Sequence, residues 1–192
     1  KFKFTKNKIE LFKNGGFIVF SPNAKTWGIL RIPKFKFRVT HLDALHFDLW
    51  FQGSNILRDS GSFSYLQNTN LDYFQGIESH NSVQFDYMQP STRISQFLFA
   101  NEFTKKKIQK INQTTLSLKG KGSYECRFGK HTRNIEFKPK YFKWIITDKL
   151  KDFRNEVILR WHLLETNWEI KENEIISEFV RIKITSNKNN TS

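Results

Sequence analysis

The chain has few of several residue types, and each shortage excludes something. One cysteine, Cys126, rules out an intramolecular disulfide framework and a cysteine-rich zinc site. That cysteine sits in SYECRF, where the alternation marks a buried, inert thiol rather than a nucleophile. No apolar run approaches the roughly 18 residues of a membrane-spanning helix, so no span of that kind is expected. GxGxxG, the phosphate-binding P-loop, the serine nucleophile elbow and the zinc-protease helix motif are all missing from the sequence. Nucleotide hydrolysis and serine-hydrolase chemistry therefore drop out of the leading readings. The opening KFKFTKNKIE has neither an initiating methionine nor the apolar centre of a signal peptide, as expected of an internal stretch of a longer protein.

Acidic residues are also scarce: 18 Asp and Glu stand against 32 Lys and Arg, a formal charge of +14. A surface so positive attracts polyanions, which makes nucleic acid, anionic membrane and acidic polysaccharide the candidate partners. Nucleic-acid binding needs stacking rings among basic residues on one face, and KFKFTKNK is the best local candidate. A solvated strand is the better explanation of that segment, so nucleic acid is not the favoured partner.

What is abundant is aromatic and β-branched residues in short runs. FIVFS, TWGILRI, FKFRV, LHFDLWF, SVQFDY, TTLSLKG, NIEFK, KWIITD and EFVRIKIT recur between turn signals such as NGG, SPN, QGSN, KGKGS and FGKHTRN. This spacing predicts an all-β sandwich or barrel filling one domain over residues 1–185, followed by a polar, disordered tail at 186–192. NEFTKKKIQKI is open to one or two helical turns or to a charged strand or loop, and residues 67–79 form the one long polar connection, of a length often used for binding.

The residues able to carry chemistry are histidines and acids. THLDALHFDLW places His41, Asp43, His46 and Asp48 among apolar neighbours. His46 and His162 lie in strand-like runs and are expected to be structural, and His131 falls in a basic turn, GKHTR, expected to be solvated. His41 and His80 keep polar company, with Asp59 between them in sequence. Two imidazoles and a carboxylate suit Zn(II), although separate surface residues remain the plainer alternative. In a straight hairpin Asp59 would pair near Asp48, leaving His41 about 20 Å away by strand rise. Shared ligation therefore needs the chain to bend around residues 39–44 or after Arg58.

The run HLDALHFDLWFQGSNILRDSGSFSY, followed by DYFQGIESHNSVQFD, resembles the core signature of the heparinase II/III-like family, approximately H-x-H-A-D-x-L-S-F-x-L-x-x-x-G-x-x-L-x-D-P-G-T-Y-x-Y and then Y-F-R-S-T-x-A-H-N-T-V. Weaker likeness extends through GGFIVFSPNAKTWGILRI upstream and HTRNIEF, IITDKL and LRWHL downstream. The resemblance implies an antiparallel β-sandwich of the supersandwich type that follows an α/α toroid in complete enzymes, with periplasmic or secreted location. It implies polysaccharide lyase chemistry on an acidic, uronic-acid-containing polysaccharide by β-elimination, and a Zn2+ site held by His41, Asp59 and His80, with Asp43 behind them fixing a ligand tautomer. Other catalytic groups belong to the toroid, so these residues alone are expected to be inactive. The departures are equally informative. A family histidine falls on Val39, a tyrosine on Phe63, an arginine on Gln75 and a serine on His46. They keep open a second reading, a zinc-braced domain that binds glycan or supports assembly without catalysis.

Overall fold

The computed structural model describes residues 7–33, 38–62 and 70–187, which form an antiparallel β-sandwich with small accessory sheets. The first sheet is a meander in chain order: β1 (Lys8–Phe12), β2 (Phe17–Asn23), β3 (Thr26–Arg31), β4 (Phe47–Phe51) and β5 (Ser54–Leu57). Period-two patterning builds it. Ile18, Phe20, Leu30 and Phe47 turn to the core, while Val19, Ile29 and Asp48 take the opposite face. Gln52 and Gly53 join β4 to β5, both at positive φ (51° and 88°), the type I′ geometry whose twist suits a two-residue hairpin.

Beyond this sheet the chain forms α1 (Leu71–Gln75) and a 3-10 turn at Ile77–Ser79. The expected polar loop is thus partly helical, because Leu71 and Ile77 anchor it to the core; residues 67–69 lie outside the described residues. Three short strands follow, β6 (Val83–Phe85), β7 (Arg93–Ser95) and β8 (Leu98–Phe99).

The second main sheet comprises β9 (Thr104–Gln113), β10 (Leu118–Cys126), β11 (Gly129–Lys138) and β12 (Lys143–Lys151), ordered β12-β11-β10-β9. Most of NEFTKKKIQKI is therefore strand. β13 (Val157–Leu159) pairs with β6, and β14 (Glu169–Lys171), β15 (Glu174–Ile176) and β16 (Arg181–Lys183) form a final small sheet. The expected tail falls outside the described residues from 188 onward.

Two turn assignments change. KGKGS lies inside β10, and FGKHTRN is strand from Gly129 onward, the reversal being made by Arg127 and Phe128 between paired Cys126 and Gly129. The glycines of KGKGS serve packing instead. A Cβ on Gly122 would lie 2.5 Å from Ile32 Cδ1 and 2.7 Å from Leu45 Cδ2, and one on Gly120 would lie 2.6 Å from Phe20 Cζ. Side chains of the first sheet and its β3–β4 connection thus reach the backbone of the second sheet. Trp144 closes the same core, with its ring 5.7 Å from both Phe20 and Phe47 and 4.9 Å from Phe137. Cys126 is buried and unpaired, and burial pushes its thiol pKa up, as expected for an inert thiol.

Candidate metal centre

The centre lies where two segments leave the ladder of the first sheet. Between β3 and β4 the chain turns through Leu45, held at φ 58° with its side chain fully buried and its N–H donating to the Arg31 carbonyl. His46 N–H closes a turn onto the Asp43 carbonyl at 3.0 Å. After β5, Arg58 N–H donates to the His162 carbonyl and Ser60 N–H to the Ser79 carbonyl, which carries Asp59 against residues 79–82. These departures meet the geometric condition that a straight hairpin could not.

Asp59 and His80 come together. His80 Nδ1 donates to Asp59 Oδ2 at 2.6 Å, and His80 is 1% exposed. Burial opposes ionisation of Asp59, but the hydrogen bond from His80 and the neighbouring His80 and His46 rings hold its carboxyl below the usual carboxylate range. With Nδ1 donating, neutral His80 keeps a lone pair on Nε2, and that atom is buried without a hydrogen-bond partner.

The third imidazole differs from the expected one by distance. His46, Asp59 and His80 each offer a donor atom within 4.8 Å of the other two. His46 Nε2 is 3.8 Å from Asp59 Oδ2 and 4.0 Å from Asp48 Oδ2, so it lies at the site rather than in a purely structural strand. His41 flanks the group from another side, its ring 5.8 Å from that of His80. Hydrogen-bond chemistry separates the two. Buried Asn81 N–H donates to His46 Nδ1 at 2.9 Å, so neutral His46 carries its proton on Nε2, facing the two carboxylates. That nitrogen has no lone pair for a cation. The Phe74 carbonyl takes a ring N–H of His41, which leaves the other ring nitrogen with its lone pair. Burial, then the neighbouring His80, lowers the His41 pKa despite opposing effects of Asp43 and Asp59, favouring the neutral form at pH 7.

Two imidazole lone pairs and a carboxylate fit a borderline-soft dication such as Zn(II), and a cation would satisfy the orphaned His80 Nε2. Asp43 contacts Arg31, with Nε 3.1 Å from Oδ2, and its charge acts on His41.

Several supporting residues carried no signal that sequence reasoning used. Asn81, fully buried, also donates through Nδ2 to the Phe47 and Arg58 carbonyls, and its Oδ1 accepts from His162 N–H at 2.6 Å. It ties three segments of the site together. His162 donates from Nε2 to the Glu78 carbonyl and accepts from Ser60 Oγ at Nδ1. Behind them Arg133, 0% exposed on β11, donates to the Leu45 and Asn81 carbonyls and makes a bidentate pair with Asp148. His131 is buried beside that pair, its Nε2 donating to Asp148 Oδ1 at 2.7 Å, and not in a solvated turn. Hairpin register was the available signal for His46: continued beyond the Leu49–Leu57 pair, the ladder would carry Asp59 opposite Phe47, next to His46.

Val39 and Gln75, two of the positions that depart from the family motif, are both buried. Val39 is 1% exposed and bridges Phe99, and Gln75 accepts from Arg93 at 2.7 Å. Another departing position, Phe63, lies outside the described residues.

An antiparallel sandwich carrying this donor group on the H-x-H-A-D-like, D-P-G-like and A-H-N-like segments defines a class of β-domain. The family model "Heparinase II/III-like, C-terminal" matches residues 5–190, and the chain belongs to that family. Among solved structures, "Heparinase III-BT4657 gene product" is similar with a TM-score of 0.73 at 19% identity, over 89% of this chain and 27% of that one. "Heparan sulfate lyase HepC from Pedobacter heparinus" is similar with a TM-score of 0.67 at 17% identity, over 87% of this chain and 26% of that one. The chain thus spans about a quarter of those proteins, and at such identities the likeness establishes the fold. No curated protein matches the sequence.

Proposed function

We propose that this chain is the β-domain of a polysaccharide lyase that cleaves an acidic, uronic-acid-containing polysaccharide by β-elimination, and that it carries a zinc site at His41, Asp59 and His80. The observation that carries this reading is the contact of Asp59 with His80, both matched by position to family motifs, beside a buried His80 nitrogen that lacks a partner, with the His41 ring 5.8 Å from that of His80. His41 is preferred to His46 as the second nitrogen donor because the Asn81 N–H occupies the nitrogen that would leave His46 Nε2 free. Zinc bound here would supply a fixed dipositive charge joining the 39–46, 58–60 and 79–82 segments. Asp43 acts on His41 from behind, and Asn81 holds His46 and the surrounding backbone in register.

β-Elimination requires a base for the C5 proton, charge neutralisation at the uronate carboxylate and a proton for the leaving C4 oxygen. The groups for those steps are assigned to an upstream α/α toroid of the longer protein. In the full-length protein, incubation with a panel of acidic polysaccharides should raise the absorbance of unsaturated uronates; silence across a broad panel sinks the lyase reading.

A second reading, a zinc-braced glycan-binding or structural domain without catalysis, is favoured by Val39, where a buried apolar side chain replaces the family histidine. Metal analysis bears on both readings. The purified domain should hold close to one equivalent of zinc, lost in His41→Ala and retained in His46→Gln; a metal-free domain whose melting ignores His41→Ala removes zinc from either version.

A further inference from the structure

The outer face of the second sheet concentrates the excess charge in one place. On β10 the outward positions are Lys119, Lys121, Ser123 and Glu125; on β11 they are Lys130, Thr132, Asn134, Glu136 and Lys138. β12 adds Lys143, Ile145, Thr147, Lys149 and Lys151 in register, opposite Lys138, Glu136, Asn134, Thr132 and Lys130 in turn, so one aliphatic side chain interrupts the polar array. Lys107 of β9 lies beside Ser123. Lysines therefore outnumber the two glutamates of this face severalfold.

Cross-strand pairing makes the pattern unusual. Lys138 faces Lys143 directly, and Lys130 faces Lys151, arrangements that cost a sheet stability. Lys119 is answered by Glu136, and Lys130 by Glu125 and Asp152. Lys121, Lys138, Lys143, Lys149 and Lys151 have no carboxylate within ion-pair distance among the described residues. Between the lysine rows run Ser123, Thr132, Asn134 and Thr147, short polar side chains able to hydrogen-bond hydroxyl groups.

We propose that this face binds a linear acidic polysaccharide along the sheet, as a surface separate from the metal centre. A flat array of flexible ammonium groups with interspersed hydroxyl and amide groups matches an extended chain carrying regularly spaced carboxylates or sulfates. The outward residues named here include no aromatic ring, and base stacking on rings is what single-stranded nucleic acid would require. The choice of a glycan rests on the function proposed above, while the charge array does not. The surface holds the polymer on the protein between cleavage events and raises its local concentration near the centre.

The test compares two triple variants of equal charge change in the full-length protein. Lys138→Gln, Lys143→Gln and Lys149→Gln neutralise the face; Lys25→Gln, Lys171→Gln and Lys183→Gln neutralise exposed lysines elsewhere. Binding to immobilised heparan sulfate and to polygalacturonate is measured across a salt series, with a single-stranded oligonucleotide as competitor. The face variant should lose at least tenfold in affinity for one or both polymers, with a shallower salt dependence, while the control loses less than twofold. Equal losses in both variants would mean net charge alone is responsible and would overturn the proposal, as would an unchanged face variant or an oligonucleotide that competes as well as free glycan. Zinc content and turnover of a short oligosaccharide are recorded alongside. A protein that binds through this face but yields no unsaturated product ends the lyase reading and keeps the surface; a working lyase indifferent to the face variant does the reverse.

Discussion

Arg133 is the connection between the second sheet and the candidate centre, and its replacement by methionine has a calculable effect. Its Nε and one terminal nitrogen hold Asp148 at 2.7 and 3.0 Å, its other terminal nitrogen holds the carbonyls of Leu45 and Asn81, and its guanidinium lies 4.7 Å over the Trp161 ring. Removing one member of a buried ion pair costs about 3–5 kcal/mol, because the other charge is stranded. Two carbonyls left without donors add about 1 kcal/mol or more. His131 still donates to Asp148 and offsets part of the loss. A net cost of about 3–5 kcal/mol follows, a large share of the 5–15 kcal/mol typical of a domain. Urea unfolding of metal-free protein at low temperature reads it directly. Arg133→Lys keeps the charge but cannot make the bidentate pair and both carbonyl bonds, so it should fall between. Adding Asp148→Asn to Arg133→Met removes the stranded charge yet leaves His131 an acceptor, and should recover about 1–2 kcal/mol. Zinc affinity should fall with Arg133→Met as well, since Leu45 and Asn81 flank His46 and His80. A loss below about 1 kcal/mol, or a double variant no better than the single, refutes the assignment of Arg133 as a brace.

Two further expectations concern the same core. Burial lowers the His131 pKa below its ordinary 6.5, with the Asp148 hydrogen bond opposing and Arg133 reinforcing. Because the folded state favours the neutral ring, its contribution is present above about pH 6.5 and is lost as pH falls toward the folded value. Melting of metal-free protein should therefore drop between pH 7 and 5, and His131→Gln should reduce that slope by the share of His131, leaving that of His41 and His162; an unaltered slope contradicts it. The Asp148 carboxyl is held far below the usual range by Arg133 and His131 despite burial, so its own contribution persists until the pH falls below the ordinary carboxylate value. Gly122→Ala would place a methyl against Ile32 and Leu45, and a destabilisation of about 1–3 kcal/mol is expected, readable as a shift in urea midpoint; a neutral result would mean the two sheets approach less closely than described.

Alternation of apolar residues in FIVF, TWGIL and NIEF marked the strands and the all-β class, because a sheet buried on one face imposes a period of two on any sequence that forms it. It could not place KGKGS, since a strand glycine and a turn glycine look alike until a second sheet is seen pressing on the backbone. His41, Asp59 and His80 were legible through motif positions, and Asp59 and His80 do meet. His46 was not, because its apolar flanks resemble those of any core strand, and only the departure of the chain at Leu45 and after Leu57 turns it toward Asp59.

The sequence by itself determined the strand class, the excess positive charge and which residue types were available as donors, since these follow from composition and local periodicity. Tertiary structure alone decided which nitrogens keep a lone pair, that Val39 is core, that Arg133 and His131 are buried around Asp148, and that the lysines gather on one sheet face. The physical reason is that tautomer, burial and cross-strand neighbourhood are set by groups distant in the chain, such as Asn81 on His46 and Asp148 on Arg133, and no window of local sequence contains both partners.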